Sequence, residues 1–254
     1  MSMKGFDVSE YQESIKWDRV PETYDFAIIR AGYGVTASQI DKKFKDNIAG
    51  AHQNGFHVGC YWFLYALTVE DAIRNAEAFL EVINPYIGKI DMPLMLDVEG
   101  DSIRYMNSCG VEPTKYLISN MIRAFCDRIE KAGFYCMVYS DNNFINTWFA
   151  SDILQRYDLW FAYWVNSFDP SYCIRQCGMW QYSNMGIVDG IPGRVDLNYS
   201  FNDYPDIIKQ AGLNHLDGTG PDPIPVPVTN TLIESGTVSE SPNQILIVLN
   251  KKVP

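Results

Sequence analysis

The sequence predicts an α/β fold, a single irregular TIM-like barrel, on three observations. Short apolar segments typical of buried strands alternate with amphipathic helical segments through the first half of the chain. Three of the strand segments end in acidic residues, and the strand ends are where α/β barrels carry their chemistry. The chain has 254 residues, whereas one barrel of this kind needs about 200–250, so a short C-terminal extension is expected.

Apolar runs separated by turn-forming residues predict eight strands. The runs are rich in β-branched and aromatic residues, which favour the pleated, half-buried surface of a sheet. The predicted strands are Met3–Asp7, Phe26–Arg30, Val58–Leu64, Leu94–Glu99, Cys136–Ser140, Leu159–Tyr163, Met179–Tyr182 and Arg194–Asp196.

Three helices are predicted between the first five strands. Gly55 and Gly133 follow two of them and suit the left-handed residue that often ends a helix, and Pro85 stops the remaining one. After the fifth strand the connections are shorter and less helical, which makes the barrel irregular. The predicted helices are Asp41–Asn54, Thr68–Ile83 and Pro113–Lys131.

Charge and hydropathy exclude several classes of partner. The net charge is −11, whereas nucleic acids and anionic membranes attract basic surfaces. No run of about 18 apolar residues exists, so insertion into a membrane is not expected. The first residues also lack the apolar core of a signal peptide.

The cysteines and histidines predict neither a metal site nor a cofactor. Cys60 and Cys136 lie in predicted strands and Cys126 in a predicted helix, where cysteine behaves as a small buried hydrophobe. Cys173 and Cys177 are spaced for a small loop disulfide, and whether they are bonded is left open. Only three histidines occur, too few for a zinc set around these cysteines.

Four carboxylates at three strand ends are the strongest functional signal. Asp97 and Glu99 are two residues apart, so in a strand they project from the same face. Asp7 and Asp196 end the first and last predicted strands. A lone Asp-x-Glu is most often a solvated turn, but four gathered acids predict a cleft in which one carboxyl group stays protonated beside ionised ones. A glycosidase needs that arrangement.

The motifs that carry these acids resemble those of the family-25 glycoside hydrolases, bacterial and phage lysozymes that cut peptidoglycan. The motifs are Gly5-Phe6-Asp7-Val8-Ser9, Leu96-Asp97-Val98-Glu99, Trp180-Gln181-Tyr182-Ser183 and Val195-Asp196-Leu197-Asn198. The resemblance spans about residues 3 to 212. It implies a barrel of about eight strands and five helices and cleavage of the β-1,4 bond between N-acetylmuramic acid and N-acetylglucosamine. It also implies peptidoglycan as the partner.

Roles for the four acids are predicted from the strand pattern together with the resemblance. Glu99 is the expected general acid, lying deepest at the strand end, with Asp97 and Asp196 as like charges that raise its pKa. Asp97 either attacks the anomeric carbon directly or orients the substrate's own acetamide group. The Cα atoms of Asp97 and Glu99 are expected about 6.6 Å apart, and this spacing does not decide between the two roles. The resemblance leans toward acetamide participation. Asp7 would flank the pair, as would Asp196.

Aromatic residues near the predicted strand ends are candidates for sugar binding. Aromatics make up 14% of the chain, which is high, and sugar rings stack on such side chains. The resemblance implies that some of the candidates line the groove, and core packing is the alternative for each one. The candidates, with one amide, are Tyr61, Trp62, Tyr139, Trp160, Tyr163, Trp180 and Gln181.

Two other functions compete with a muramidase. A catalytically silent glycan-binding barrel would be favoured if an acid at 97 or 99 were missing, and both are present. A chitinase-like N-acetylglucosaminidase would extend the acids upstream as Asp-x-x-Asp-x-Asp-x-Glu, but Met95 stands where the third aspartate belongs. The Gly-rich turn 30–34 lacks a phosphate-binding fingerprint, so a nucleotide site is rejected.

Composition divides the chain into a barrel and an extension. Residues 1–213 are the predicted catalytic barrel, 214–228 a Pro-rich linker and 229–254 a short β-prone tail too small to bury a core alone. The tail is expected to be an oligomerisation or docking segment, or the opening of a wall-binding module. The expected place of action is the bacterial cell wall, reached by phage-lysin-type release or in a secreted form whose signal has been removed.

Overall fold

A closed eight-stranded barrel forms the centre of the computed structural model, which describes residues 2–165 and 177–217. Neighbours in the barrel follow chain order, and the last strand pairs with the first. The eight predicted strands are confirmed, with ends displaced by up to four residues. The strands are β1 (Met3–Val8), β2 (Phe26–Tyr33), β3 (His57–Phe63), β4 (Leu94–Asp97), β5 (Cys136–Asp141), β6 (Asp158–Ala162), β7 (Met179–Gly186) and β8 (Val195–Ser200).

The last strand runs against all the others. β1 to β7 are parallel to their neighbours, whereas β8 is antiparallel to both β7 and β1, and Asp196 pairs with Asp7 across β8 and β1. The sequence predicted a strand Arg194–Asp196 that ends in its acid, which is wrong: Asp196 is the second residue of β8. Because the strand is reversed, its beginning lies at the carboxyl ends of the other strands, and the acid reaches the same end of the barrel.

Seven α-helices surround the barrel within the described ranges, against five implied by the resemblance. The predicted helices correspond to α1, α2 and α4, and the other four were not predicted. Thr68 and Thr114 cap the two longest by accepting backbone N–H bonds from Asp71 and Leu117, each at 3.1 Å. The helices are α1 (Phe44–Gln53), α2 (Val69–Ile83), α3 (Gly100–Ser108), α4 (Lys115–Lys131), α5 (Asn142–Trp148), α6 (Ser151–Arg156) and α7 (Tyr204–Gln210).

Aromatic side chains fill the layer between barrel and helices. Trp62 of β3 is fully buried and stacks on Phe79 of α2, with 5.6 Å between ring centroids. Phe79 in turn contacts Phe125 of α4 at 6.3 Å. Each such fully buried side chain contributes about 1.5–3 kcal/mol of hydrophobic free energy, so this layer fixes α2 and α4 against the strands.

The amino-terminal end of the parallel strands is closed by the segment after α7. Asn214 is fully buried; its Nδ2 donates to the carbonyls of Ile90 (3.1 Å) and Met92 (2.9 Å), and its Oδ1 accepts from the N–H of Tyr135 (2.8 Å). His215 Nε2 donates to the Ala132 carbonyl at 2.7 Å. These contacts extend the folded unit past the predicted boundary at 213.

Several predictions concern residues at the margins of the structure. Residues 218–254, with most of the predicted linker and all of the tail, lie outside the described residues, as does Cys173 of the suggested loop disulfide. Cys60, Cys126 and Cys136 are buried and unbonded, as expected. Within the described ranges, no helix is both long enough and apolar enough to cross a bilayer.

Candidate active site

A cavity of about 470 Å³ lies at the carboxyl ends of the first four strands and the beginning of β8. All four predicted acids line it, so three separate strand ends do deliver their carboxyl groups to one place. Its lining residues are Asp7, Val8, Ser9, Glu10, Tyr11, Gln12, Arg30, Tyr33, Tyr61, Phe63, Tyr65, Asp97, Glu99, Asp101 and Asp196.

Asp7 is held firmly at the end of β1. Its side chain is 7% exposed, and its Oδ2 accepts hydrogen bonds from Asn198 Nδ2 (2.8 Å) and Gln181 Nε2 (2.9 Å). Burial raises the pKa of Asp7 to about 6, against the two hydrogen bonds, which lower it. Asn198 was not predicted as a site residue, although it lies two positions from Asp196 on the same strand and therefore shares its face.

Gln181 joins two of the acids. Its Nε2 donates to Asp7 and, at 3.5 Å, to Asp196 Oδ2. Its Oε1 accepts from the Tyr139 hydroxyl (3.0 Å) and Trp164 Nε1 (3.1 Å), which fixes the orientation of the amide. Gln181 therefore lies beneath the carboxyl groups and positions them.

Asp97 is as deeply buried as Asp7. It ends β4 at 6% exposure, and its Oδ1 is buried without a hydrogen-bond partner among the described residues. Burial raises the pKa of Asp97 well above its ordinary value, and the charges of Glu99 and Asp7 raise it further. The prediction that Glu99 lies deepest is wrong, because β4 ends at Asp97 and Glu99 is the residue that precedes α3.

Glu99 is half-buried at the start of α3, and its backbone N–H donates to Ser102 Oγ at 3.4 Å. Burial raises the pKa of Glu99 to about 7, and the negative charges of Asp101 and Asp141 are the next largest causes of the increase. The sequence had assigned this effect to Asp97 and Asp196, but burial is the larger cause.

Asp196 completes the set of acids. Burial raises the pKa of Asp196 to about 8, followed by the charges of Asp7 and Glu99. With these raised values, the four carboxyl groups do not all ionise at neutral pH. They titrate as one interacting group that retains protons where isolated carboxyl groups would have lost them.

Four of the seven other candidates lie at or beneath the cavity. Tyr61 lines it, and Trp160 lies below with ring centroids 6.1 Å from Tyr61 and 4.5 Å from Tyr139. Trp160 Nε1 donates to Asn198 Oδ1 at 2.7 Å, which orients the amide that holds Asp7. These aromatic rings and Gln181 form the floor of the site.

The other three candidates lie elsewhere. Trp62 alternates with Tyr61 and Phe63 along β3, so it points away from the cavity, and its Nε1 donates to the Gly34 carbonyl (2.9 Å) and Asn75 Oδ1 (3.2 Å). Trp180 Nε1 donates to the Tyr163 carbonyl at 2.7 Å. Neither Trp180 nor Tyr163 lines the cavity.

Several lining residues were missed by sequence reasoning. Tyr33, Phe63 and Tyr65 follow or end β2 and β3, and their rings contact one another: the centroids of Tyr33 and Tyr65 are 5.8 Å apart, and those of Phe63 and Tyr65 are 4.9 Å apart. Phe63 carried a usable signal, since it is two residues from Tyr61 and shares its face. The aromatic wall therefore lies on the β2–β3 side of the cavity.

Arg30 is the only basic residue that lines the cavity within the described ranges. Its Nε donates to Asp41 Oδ2 (2.6 Å) and its Nη2 to Glu10 Oε1 (2.9 Å). Its positive charge lowers the pKa of Asp97 and so opposes part of the effect of burial. Asp41 and Glu10 thus fix the guanidinium at a position where its charge acts on Asp97.

The sequence profile described as Glycosyl hydrolases family 25 matches residues 6–191, a range that includes Asp7, Asp97 and Glu99. The chain belongs to this family. The resemblance inferred from its motifs is thereby confirmed, and the barrel agrees with the structures of other members of family 25.

Individual relatives of this family-25 chain are lytic proteins. It is 31% identical to the autolytic lysozyme of Clostridium acetobutylicum over 203 residues, which cover 77% of this chain and 55% of that protein. The modular autolysin LytC of Streptococcus pneumoniae, which has also been solved with a synthetic peptidoglycan ligand, superposes with a TM-score of 0.68 at 28% identity, over 79% of this chain and 47% of LytC.

A relative of more similar length is the family-25 glycosyl hydrolase of Bacillus anthracis, with a TM-score of 0.67 at 25% identity, over 82% of this chain and 92% of that one. By contrast, the chain spans only about half the length of the lysozyme and of LytC.

Proposed function

We propose that this chain is a peptidoglycan hydrolase that cleaves the β-1,4 bond between N-acetylmuramic acid and N-acetylglucosamine. The observation that carries the proposal is the convergence of four carboxyl groups with unequal environments around one cavity. Membership of family 25 and the lytic relatives support it, as does the peptidoglycan ligand of LytC. The place of action is then the bacterial cell wall.

Glu99 is the proton donor in this mechanism. A pKa of about 7 keeps a useful fraction of its carboxyl groups protonated at neutral pH, whereas an ordinary glutamate would be almost fully ionised. Glu99 donates this proton to the glycosidic oxygen as the bond from that oxygen to the anomeric carbon breaks.

Asp97 assists through the substrate's own acetamide group. Asp97 lines the cavity, and its buried Oδ1 lacks a partner in the described part of the protein, which supports a role for this carboxyl group as the acceptor for the acetamide N–H. The acetamide oxygen then forms a bond to the anomeric carbon while the leaving oxygen takes the proton from Glu99. Water later attacks that carbon and gives a proton to Glu99, which restores both the acetamide and the acid with retained configuration.

Asp7 and Asp196 act on either side of this pair. Asp7, fixed by Gln181 and Asn198, sets the charge felt by Asp97, whose pKa it raises. Asp196 accepts hydroxyl or amide hydrogens of the sugar. All of these steps use carboxyl groups of the chain, and none uses a cofactor. Association of copies through residues 229–254 stays a prediction.

Product analysis tests the bond and the acid together. Purified peptidoglycan is digested, the products are reduced with borohydride, and the reduced sugar is identified; muramitol is the expected product. Glu99→Gln should lose at least about 100-fold in kcat, as removal of a general acid does, while the exposed Glu112→Gln should match wild type.

Other outcomes would contradict the proposal in distinct ways. Glucosaminitol would make the protein a glucosaminidase, and new amino groups without new reducing ends would remove it from the glycosidases. Binding of peptidoglycan without turnover by the wild type would indicate a silent glycan-binding barrel. Near-normal turnover by Glu99→Gln would leave the reaction standing and reject Glu99 as the acid.

A further inference from the structure

Tyr11 is the most exposed aromatic residue that lines the cavity. It lies in the single 3-10 turn Glu10–Gln12 that follows β1 and is 77% exposed. The other aromatic residues of the wall bury part of their rings against each other, whereas Tyr11 projects into water. A large ring left in water at the rim of a cavity is surface that a ligand can cover favourably.

Arg30 covers one face of the Tyr11 ring. The guanidinium carbon of Arg30 lies over the ring, 5.0 Å from its centroid, a cation–π contact. Arg30 is itself held by ion pairs to Asp41 and Glu10. The support is therefore rigid, and the high exposure of Tyr11 leaves the opposite ring face open.

The backbone that carries Tyr11 is also fixed. Ser9 Oγ accepts from the Tyr11 N–H (3.3 Å), and Gln12 Oε1 accepts from the Ser9 N–H (2.9 Å). Gln12 Nε2 reaches across to the Arg194 carbonyl at 3.1 Å, which ties the turn to the segment before β8. Little conformational freedom then remains to be lost when a ligand covers the ring.

The charge of the cavity restricts what such a ligand can be. Six acids line it, and its single basic residue is already paired with two carboxylates. An anionic ligand would be repelled, whereas a neutral ring that offers hydroxyl or amide hydrogens to the acids and an apolar C–H face to tyrosine fits both features.

We propose that Tyr11 is a stacking platform for a second, neutral N-acetylated sugar unit, bound in the same cavity beside the unit held at Asp97 and Glu99. This inference rests on the proposed function and names a residue that sets the preference for longer glycans. Its contribution is to binding, since the carboxyl groups of Asp97 and Glu99 carry the chemistry.

Binding without turnover provides the test. In the Glu99→Gln protein, the Kd for N-acetylglucosamine and for its soluble oligomers of two to six units is measured by titration calorimetry. Adding Tyr11→Ala should raise the Kd of the dimer and the longer oligomers about 3- to 10-fold, the loss of one aromatic stacking contact, and change that of the single sugar little. Tyr11→Trp should retain the affinity. The matched control is Tyr116→Ala on α4, a tyrosine that is 79% exposed outside the cavity lining and should change no Kd.

The outcomes separate this inference from the proposal beneath it. Oligomers that bind equally well with and without Tyr11→Ala would reject the platform and leave the hydrolase standing. Equal weakening of the single sugar and the hexamer would also reject it, because Tyr11 would then act on the first unit or on the fold. If neither the single sugar nor any oligomer binds, the platform is rejected, and the product analysis on purified peptidoglycan then decides the proposed hydrolase by itself.

Discussion

The two ends of the barrel differ in how completely their buried polar groups are hydrogen-bonded. At the carboxyl end, Asp97 keeps a buried oxygen without a partner among the described residues, and Asp7, Glu99 and Asp196 have raised pKa values. At the other end, Asn214 makes three side-chain hydrogen bonds.

The acids of the closed end are paired as well. Asp158 accepts hydrogen bonds from the hydroxyls of Tyr204 and Tyr135. Asp91 accepts from His57 Nδ1 (2.5 Å) and from the Val58 N–H (2.8 Å). The acids of the closed end therefore have hydrogen-bond partners, whereas at the open end Asp97 keeps an oxygen without one among the described residues.

This difference indicates that stability and chemistry are divided along the barrel axis. A site that must bind and protonate a substrate keeps hydrogen-bond acceptors free for that substrate, which lowers the stability of the fold. The polar groups of the closed end have no such task and can all be paired within the protein. Substitutions at the open end should change rates more than stability, and those at the closed end should do the reverse.

The largest expected effect is on the rate of Asp97→Asn. Asparagine keeps an oxygen that can accept from the acetamide N–H but loses the carboxylate charge that would support the positive charge developing on the acetamide. The value of kcat should therefore fall at least about 100-fold, in the range of a lost acid–base group. Stability should not fall. The raised pKa of Asp97 means that folding disfavours its charged form, so at pH 7 the neutral asparagine removes an unfavourable contribution.

Reducing-end release and thermal unfolding, both at pH 7, measure the two effects on one preparation. Asp152→Asn, an exposed substitution on α6, serves as the control for activity. A Tm several degrees below wild type for Asp97→Asn would show that this acid stabilises the fold. It would contradict the division of stability and chemistry between the two ends of the barrel.

At the closed end, Asn214→Ala should destabilise by about 2–4 kcal/mol, because it leaves the Ile90 and Met92 carbonyls and the Tyr135 N–H without their partner. Its backbone φ of 58° adds strain for alanine. Urea unfolding measures the loss, and kcat of the folded fraction should stay within about twofold of wild type.

Two comparisons sharpen this prediction. Asn143→Ala, an exposed change on α5, should stay within about 0.5 kcal/mol of wild type. A chain ending at Asp217 should unfold cooperatively near the wild-type midpoint, whereas one ending at Leu213 should resemble Asn214→Ala. Equal stability of the two truncated chains would mean that the closed end does not depend on Asn214 and His215.

The smallest expected effect is a shift in pH dependence. The alkaline limb of kcat/KM should report Glu99 losing its proton near pH 7. Asp101 carries a negative charge that raises the pKa of Glu99, so Asp101→Asn should lower that pKa and move the limb to lower pH. Asp152→Asn should leave it in place. An unchanged limb in Asp101→Asn would remove the coupling, and a limb moved to higher pH would reverse its sign.

The sequence predicted the order of the strands better than the direction of the last one. Alternating apolar residues locate a strand but carry no information on whether it runs with or against its neighbours, so Asp196 was placed at the end of β8 rather than its beginning. The four missed helices have six to nine residues, too few for a periodic pattern to stand out, and α3 begins directly after Glu99.

The four acids could be grouped from the sequence because their positions follow from chain motifs, and they do line one cavity, whereas the aromatic residues could not be grouped in this way. Tyr61 and Trp62 are neighbours in sequence and point to opposite sides of β3, one to the cavity and the other to α2. The face that a strand turns to the barrel interior depends on its register, which a single sequence does not reveal. Tyr11 and Arg30 were missed because their contact joins the turn after β1 to the strand β2, and no local sequence pattern relates these two positions.

Closure by β8 also has a consequence for biosynthesis. Asp7 emerges from the ribosome before the two side chains that hold it, Gln181 and Asn198, which come 174 and 191 residues later. Contacts of such long sequence separation form slowly and late. A nascent chain would therefore carry Asp7 in an unassembled pocket until those residues are made, and the pocket would be complete only when the last strand inserts between the seventh and the first.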